Sequence, residues 1–250
     1  MTLPIVYQDE YCVAIHKPSG LLVHRTELDF YERRFALQML RDQLGRKVYP
    51  VHRLDKGTSG LLLFALSPDA GRSLSALFQT RQVQKTYWAV VRGHPPASGE
   101  IDHPLLKRPD DREWPGDAPA CGPQAAMTRY QRLAAAELPY AVDRYPSSRY
   151  ALLQLEPLTG RRHQLRRHLK HIAHPIIGDA TYGKGRHNRL FQDLFGCRRL
   201  LLASVGLCLT HPVTGAALEL SAPVAEDFAE VLRGLGWEQA IHPQRIADTA

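Results

Sequence analysis

Cysteine is scarce: four residues in 250 (Cys12, Cys121, Cys197 and Cys208), scattered and never spaced Cys-x-x-Cys. That pattern argues against a zinc ribbon or a disulfide scaffold and suits a reducing compartment. A basic, apolar leader is lacking too, because the opening MTLPIVYQDE has acids where a secretory signal needs positive charge. No apolar run is long enough to span a bilayer, and repeats and low-complexity tracts are absent. The expectation is a soluble, cytoplasmic, monomeric protein with no membrane partner. Several chemistries also lack their hallmark. HExxH, GxSxG, the phosphate-loop pattern and the GxGxxG fingerprint are all missing, so nucleotide and redox cofactors have no evident cradle. His168, His171 and His174 keep helical spacing, but no carboxylate accompanies them, and solvated or polyanion-facing histidines explain them without a metal. No metal and no cofactor are expected.

Acid is the minority charge. The chain has 25 Asp and Glu against 32 Lys and Arg, a net +7 that is a soft indication of a polyanionic partner. At 44% hydrophobic and 23% charged residues it has the composition of an ordinary globular protein with a sizeable core. Residues 5–24 read as strand, turn and strand, punctuated by Pro18-Ser19-Gly20. Ala36, Met39, Leu40 and Leu44 share a helical face that Gly45 ends. Ser67-Pro68 is a cap and first turn for a second helix with Ala70, Leu74, Leu77 and Phe78 inward. KTYWAVVRG is a strand by its aromatic and β-branched content. Residues 94–124 are rich in Pro, Gly and Asp and read as a surface excursion. Residues 149–175 give a buried strand, a Thr-Gly turn and a helix with Leu165, Leu169 and Ile172 inward. Residues 199–220 give a strand, a turn at His211-Pro212 and another strand. Without a regular βαβ alternation the expected class is α+β, with a largely antiparallel sheet. Residues 1–237 are taken as one domain and 238–250 as a flexible tail.

Three features can carry chemistry. The first is Asp55 in VHRLDKGTSGLLLFAL, residues 51–66. Gly57 and Gly60 permit tight geometry, and the apolar run after them anchors the turn in the core, so a carboxylate there sits on a rigid support. The plainer alternative is a turn aspartate bonded to backbone amides. HRLDKGTS superficially resembles a kinase catalytic loop, but the spacing is wrong and no glycine-rich loop or DFG accompanies it. The second feature is TGRRHQLRRHLKH. Arg162, Arg166 and Lys170 form one stripe beside the buried face, Arg167 and His171 another, and Glu156 is the only nearby acid. A solvated basic helix accounts for any one of these arginines. Together they are dense enough for a phosphate-binding surface, and one at the sheet edge could reach a buried carboxylate in bidentate fashion. The third is Tyr87, a strand tyrosine that is either core or a platform for a flat substrate. One carboxylate, one arginine to orient it, an aromatic and a basic face suit covalent chemistry on a base within RNA.

These residues resemble the pseudouridine synthases, in the branch typified by the ribosomal large-subunit synthase A. HRLDxxTSG is intact at residues 52–60, and HKPSGLLVH matches the family's NKPxGxxVH-type opening with His16 in place of Asn. KTYWAVVRG matches its K-x-Y strand, and LTGRRHQLRRHLKHIAHPIIGDATYG matches its TGRxHQLRxH…GDxxYG element. In the late RLxLHA motif Ala203 stands where His is usual. The likeness runs from about residue 5 to 222 in the family's order, and no RNA-binding module of the S4 type is expected ahead of it. It implies a mixed, mostly antiparallel sheet flanked by helices and loops around a central active-site cleft, with Asp55 as nucleophile, Arg166 as its ion-pair partner, Tyr87 against the target base and Leu202 closing the pocket. Arg53 is implied to help evert the nucleotide, and Arg161, Arg162, Arg167 and Lys170 to meet phosphates. The implied substrate is tRNA at uridine 65 in the T-stem region, with ribosomal RNA as the alternative. A silent RNA-binding module and a base-excising glycosylase are the alternatives of other classes.

Overall fold

The computed structural model describes residues 2–25, 32–106 and 122–240. Among the described residues, ten strands and five helices follow one another in chain order. β1 (Ile5–Gln8) and β2 (Cys12–Lys17) form a hairpin, and α1 (Ala36–Leu44) ends at Gly45 with φ 64°. β3 (Tyr49–Pro50) and β4 (Ser59–Ala65) precede α2 (Pro68–Gln79). β5 (Gln84–Arg92), β6 (Ser98–Asp102), β7 (Met127–Leu138) and β8 (Ser148–Pro157) come next. The chain then runs through α3 (Gln164–His171), α4 (Gly185–Phe195), β9 (Leu202–Thr210), β10 (Ala217–Ser221) and α5 (Glu226–Gly234). A single 3-10 turn, Glu238–Ala240, follows.

The strands make one sheet in the order β1-β2-β4-β9-β5-β8-β7-β6, with β10 paired to β9 and β3 to β4. Every pairing is antiparallel except β4 with β9. The class is therefore the α+β expected from the sequence. Period-two alternation sends side chains to opposite faces. Leu62, Phe64, Tyr87, Ala89, Leu153, Leu155 and Leu202 pack on one face with Leu165 and Leu169 of α3 and Leu40 of α1. Trp88, Val90, Leu152, Ala203 and Val205 pack on the other with Phe191 of α4 and Phe228, Val231 and Leu232 of α5. Because both faces are covered, β4 is buried along its whole length, which is why its sequence is a continuous apolar run.

The parallel junction of β4 and β9 pairs Ser59 with Ala203 and Gly60 with Ser204. Gly60 has φ 102°, and a Cβ there would lie 2.0 Å from the Ser204 carbonyl oxygen. Only glycine fits. The junction therefore fixes the loop before β4 to the strand that carries Leu202. The excursion expected over residues 94–124 is partly ordered sheet: β6 pairs with β7, and Leu105 bridges to Gln124. Its composition hid a short edge strand, which requires pairing partners more than it requires propensity. Residues 107–121 of that excursion and 241–250 of the expected tail lie outside the described residues. No helix among the described residues is long and apolar enough to cross a membrane.

Candidate active site

The loop before β4 is braced at several points. His52 Nε2 accepts the Leu63 N–H at 2.9 Å, and its ring stacks on Phe78 with centroids 4.4 Å apart. Burial pushes the His52 imidazole down to about 3, so it is neutral and able to accept. Thr58 N–H closes the turn onto the Asp55 carbonyl at 3.0 Å, and Ser19 Oγ and Gly20 N–H donate to the carbonyls of Gly57 and Lys56 at 2.8 Å each. Arg199 Nη2 holds Ser59 Oγ at 2.6 Å from the far side. Lys17 is fully buried, and its Nζ donates to the carbonyls of Leu21 at 2.7 Å, Pro18 at 2.9 Å and Lys56 at 3.2 Å. Burial pushes its amine down to about 7, yet three acceptors for three protons are what the ammonium form requires. That charge clasps the turn after β2 to the residue next to Asp55. Lys17→Met should leave buried carbonyls unsatisfied and cost roughly 1–3 kcal/mol of stability, read by denaturant titration.

The Asp55 carboxylate accepts from Arg166 Nη1 at 3.2 Å, and His163 Nε2 stands 3.9 Å away. No backbone amide among the described residues bonds that carboxylate, so the turn-aspartate alternative has no geometric support. Arg166 does not pair with Asp55 in bidentate fashion, however. Its fork is taken by Asp179, with Nε–Oδ2 at 2.7 Å and Nη2–Oδ1 at 2.9 Å. Exposure separates the two acids. The Asp55 side chain is 22% exposed, whereas that of Asp179 is at 0%. Asp179 anchors the guanidinium, and Asp55 presents its carboxylate to the cleft. Burial alone would raise the Asp179 carboxyl, but the hydrogen bonds from Arg166 and from the Tyr182 and Thr181 amides outweigh it and hold the carboxyl below its usual range. Gly178 has φ 79°, and a Cβ there would meet the Arg199 carbonyl oxygen at 1.8 Å. Asn188 of α4 bonds both the Gly178 N–H and the Asp179 carbonyl. This segment is seated as firmly as the Asp55 loop.

Above Asp55 opens a cleft of about 750 Å³. Asp55, Tyr87, Arg166 and Leu202 all line it, with Arg53, Arg161, Arg162 and Arg167 around them. Tyr87 and Leu202 come from neighbouring strands, in the register Tyr87↔Ser204 and Ala89↔Leu202. Burial, and then the charge of Asp55, pushes the Tyr87 phenol up to about 12. It stays protonated at neutral pH and offers a ring and a donor, not a base. Arg161 Nε donates to the Ala125 carbonyl and Arg167 Nη1 to that of Leu106. Lys170 does not line the cleft. It is exposed on α3, with Nζ 5.9 Å from the Tyr182 ring centroid. Ala203 points to the opposite face of the sheet, among Trp88 and Phe228, so replacing the usual histidine there takes no side chain out of the cleft.

Four residues of this arrangement went unassigned in the sequence: Lys17, His163, Asp179 and Arg199. Asp179 and His163 lie inside matched motif text, in GDATYG and GRRHQL. Neither spacing nor periodicity says that an acid 13 positions after Arg166 folds back onto it. His163 adopts φ 53° ahead of α3, and its Nδ1 lies 3.1 Å from the Tyr182 hydroxyl.

Residues 11–171, more than half of the chain, match the family model described as RNA pseudouridylate synthase. The chain belongs to that family. It is 50% identical over 236 residues to tRNA pseudouridine synthase C of Pectobacterium carotovorum subsp. carotovorum, covering 94% of this chain and 63% of that protein, so it spans somewhat less than two thirds of that relative. Against tRNA pseudouridine synthase C of Pasteurella multocida (strain Pm70) the identity is 46%, covering 97% and 100% of the two chains. For the protein of that name from Yersinia pestis it is 48%, covering 98% and 95%. Among solved structures, human RNA pseudouridylate synthase domain containing 4 superposes with a TM-score of 0.70 at 29% identity, covering 93% of each chain. Human RNA pseudouridylate synthase domain containing 1 gives 0.68 at 28% identity, covering 89% of this chain and 84% of that one.

Proposed function

We propose that this chain isomerises a uridine of tRNA to pseudouridine, with Asp55 as nucleophile. The observation that carries the reading is the Asp55–Arg166 pair, 3.2 Å apart at the floor of a cationic, aromatic-lined cleft. In the reaction the N1–C1′ bond breaks, the base turns and C5 joins C1′. A proton leaves C5 and N1 gains one, so the product has the formula of the substrate. The target must first leave its stack, at a cost of a few kcal/mol. Arg53 helps evert the nucleotide, Arg161, Arg162 and Arg167 offset that cost by meeting phosphates, and Lys170 extends the same basic face along α3.

Within the cleft the Tyr87 ring lies against the everted base, and Leu202, on the neighbouring strand, closes the pocket beside it. Confinement matters here. The detached uracil must recombine with the same sugar before it diffuses away, and a close-fitting wall makes that step unimolecular. Attack of Asp55 at C1′, attack at C6 and an elimination through a glycal all start at the same carboxylate. In each route Arg166 aims the anion and His163 borders it. A second carboxylic acid of the glycosidase kind is not needed, because the leaving uracil anion is delocalised. Asp179 does not supply one, since its oxygens are occupied by Arg166 and two amides.

The same reading takes residues 1–237 as one catalytic domain acting as a monomer in the cytoplasm, with uridine 65 of the T-stem region as target. The names of the relatives support tRNA over ribosomal RNA. The experiment is to incubate unmodified tRNA, and separately unmodified ribosomal RNA, with the purified protein and map pseudouridine at nucleotide resolution. Product at one tRNA uridine is expected. Product in ribosomal RNA alone would move the substrate, and release of free uracil would replace the isomerase with a glycosylase.

A further inference from the structure

The cleft has a second cationic rim. Besides the arginines around α3, its lining includes Ser75 and Gln79 of α2, Arg81 just beyond that helix, and Lys85 at the start of β5. Among the described residues, neither Arg81 nor Lys85 has an ion pair to a carboxylate. Both line the cleft, and burial first, and then the charge of Arg81, pushes the Lys85 amine down. Among the described residues, Asp55 is the only acid lining the cleft. Two cations on one rim without an acid between them repel, an arrangement that an anionic ligand relieves.

The backbone at Arg81 adds an independent observation. α2 ends in a paired-bond stop, with Gln82 N–H bonding the Leu77 carbonyl at 2.9 Å and Arg81 N–H the Phe78 carbonyl at 3.4 Å. That stop places the intervening residue in the left-handed region, where glycine is the usual occupant. Here Arg81 holds φ 62°. The chain tolerates an arginine where glycine is less strained, and its side chain lines the cleft. Complementing the negative end of α2 would be the plain use of such a cation. It explains neither the cleft-facing position nor the adjacent Lys85.

We propose that Arg81 and Lys85 form a second phosphate-binding subsite, gripping the RNA backbone beside the everted uridine on the α2 side of the cleft. The inference rests on the tRNA reading above and extends it. The α3 rim then holds one stretch of backbone and the α2 rim another, and the nucleotide between them is presented to Asp55.

The test is the salt dependence of tRNA binding, with turnover and melting measured on the same full-length variants. Arg81→Gly should melt no lower than the native protein, and higher if strain prevails. Its log Kobs against log salt slope should fall by roughly 0.7–0.9 for the lost phosphate contact, and its affinity by about three- to tenfold. KM should rise, with kcat at saturating tRNA unchanged. Lys85→Gln should do the same, Arg81→Lys should keep the native slope, and Arg72→Gln, on an α2 residue paired with Asp69 outside the cleft, should change nothing. If Arg81→Gly and Lys85→Gln bind and react as the native protein does, the subsite is wrong while the tRNA reading stands. If the native protein itself neither binds nor modifies tRNA, the reading fails and the subsite with it.

Discussion

Asp55→Asn should abolish pseudouridine formation while leaving tRNA binding intact or slightly tighter. The substitution keeps the shape of the side chain and retains an oxygen that can accept from Arg166, so the braced loop has no reason to move. What it removes is the negative charge. An amide oxygen is a poor nucleophile toward C1′ or C6 and a poor base toward the ribose, so each route through this residue loses its first step. The expected loss is on the order of four powers of ten or more, the scale seen when one member of a catalytic unit is removed. Binding should respond in the opposite direction. Deleting the only acid among the described residues of the cleft lining leaves its arginines and Lys85 facing the RNA with one unit less of opposing charge. Because C5 loses its proton during the reaction, tritium released from tRNA labelled at uridine C5 reads turnover directly, and filter binding reads affinity on the same sample. A variant that releases tritium at close to the native rate would remove Asp55 from the nucleophile's role, whatever its position beside Arg166.

Much of this site is legible in the sequence. Asp55 stands out because a rigid apolar strand follows two permissive glycines, and β4 is indeed buried from end to end. α1, α2 and α3 follow from the spacing of their apolar residues and from Ser67, whose hydroxyl accepts the Ala70 N–H at 3.2 Å. β7 was missed for a physical reason. MTRYQRLAAAEL is rich in good helix formers, and only its pairing with β8, with a register shift between Arg132 and Ala134, makes it a strand. α4 and α5 were missed although Phe191 with Phe195, and Phe228 with Val231 and Leu232, show helical spacing. α4 matters to the site because Asn188 seats the Asp179 segment. The least legible feature is the second partner of Arg166, Asp179, which takes its fork. The arginine's basic neighbours imply an anion in need of a cation, but which of two carboxylates takes the fork is decided by tertiary contact. A helix face cannot report that choice.

Arg166→Ala should therefore damage the protein through Asp179 before it damages catalysis through Asp55. The substitution leaves a carboxylate with no exposed surface facing a void where a guanidinium had made two short hydrogen bonds. Breaking a buried pair from one side costs about 3–5 kcal/mol, which in a chain of this size lowers the melting temperature by on the order of 10 °C. The sign of the pH dependence identifies the cause. In the native protein the Asp179 carboxyl is held below its unfolded range, so its stabilising contribution is complete above the unfolded carboxylate range and fades as pH falls through the folded value. Without Arg166 the largest influence left on that carboxyl is burial, which favours the protonated acid. The deficit of Arg166→Ala should then be greatest at neutral pH and shrink on acidification, as the stranded group takes up a proton and becomes neutral. Asp179→Asn combined with Arg166→Ala should be more stable than Arg166→Ala alone, because it removes the uncompensated charge, yet it should be no more active. Arg166→Lys should recover part of the stability but little of the rate, since a single ammonium cannot span the two oxygens of Asp179 and still reach Asp55. Melting and turnover unchanged in Arg166→Ala would show that the guanidinium holds neither acid. A large loss of turnover with native melting at every pH would separate its service to Asp55 from any anchoring by Asp179.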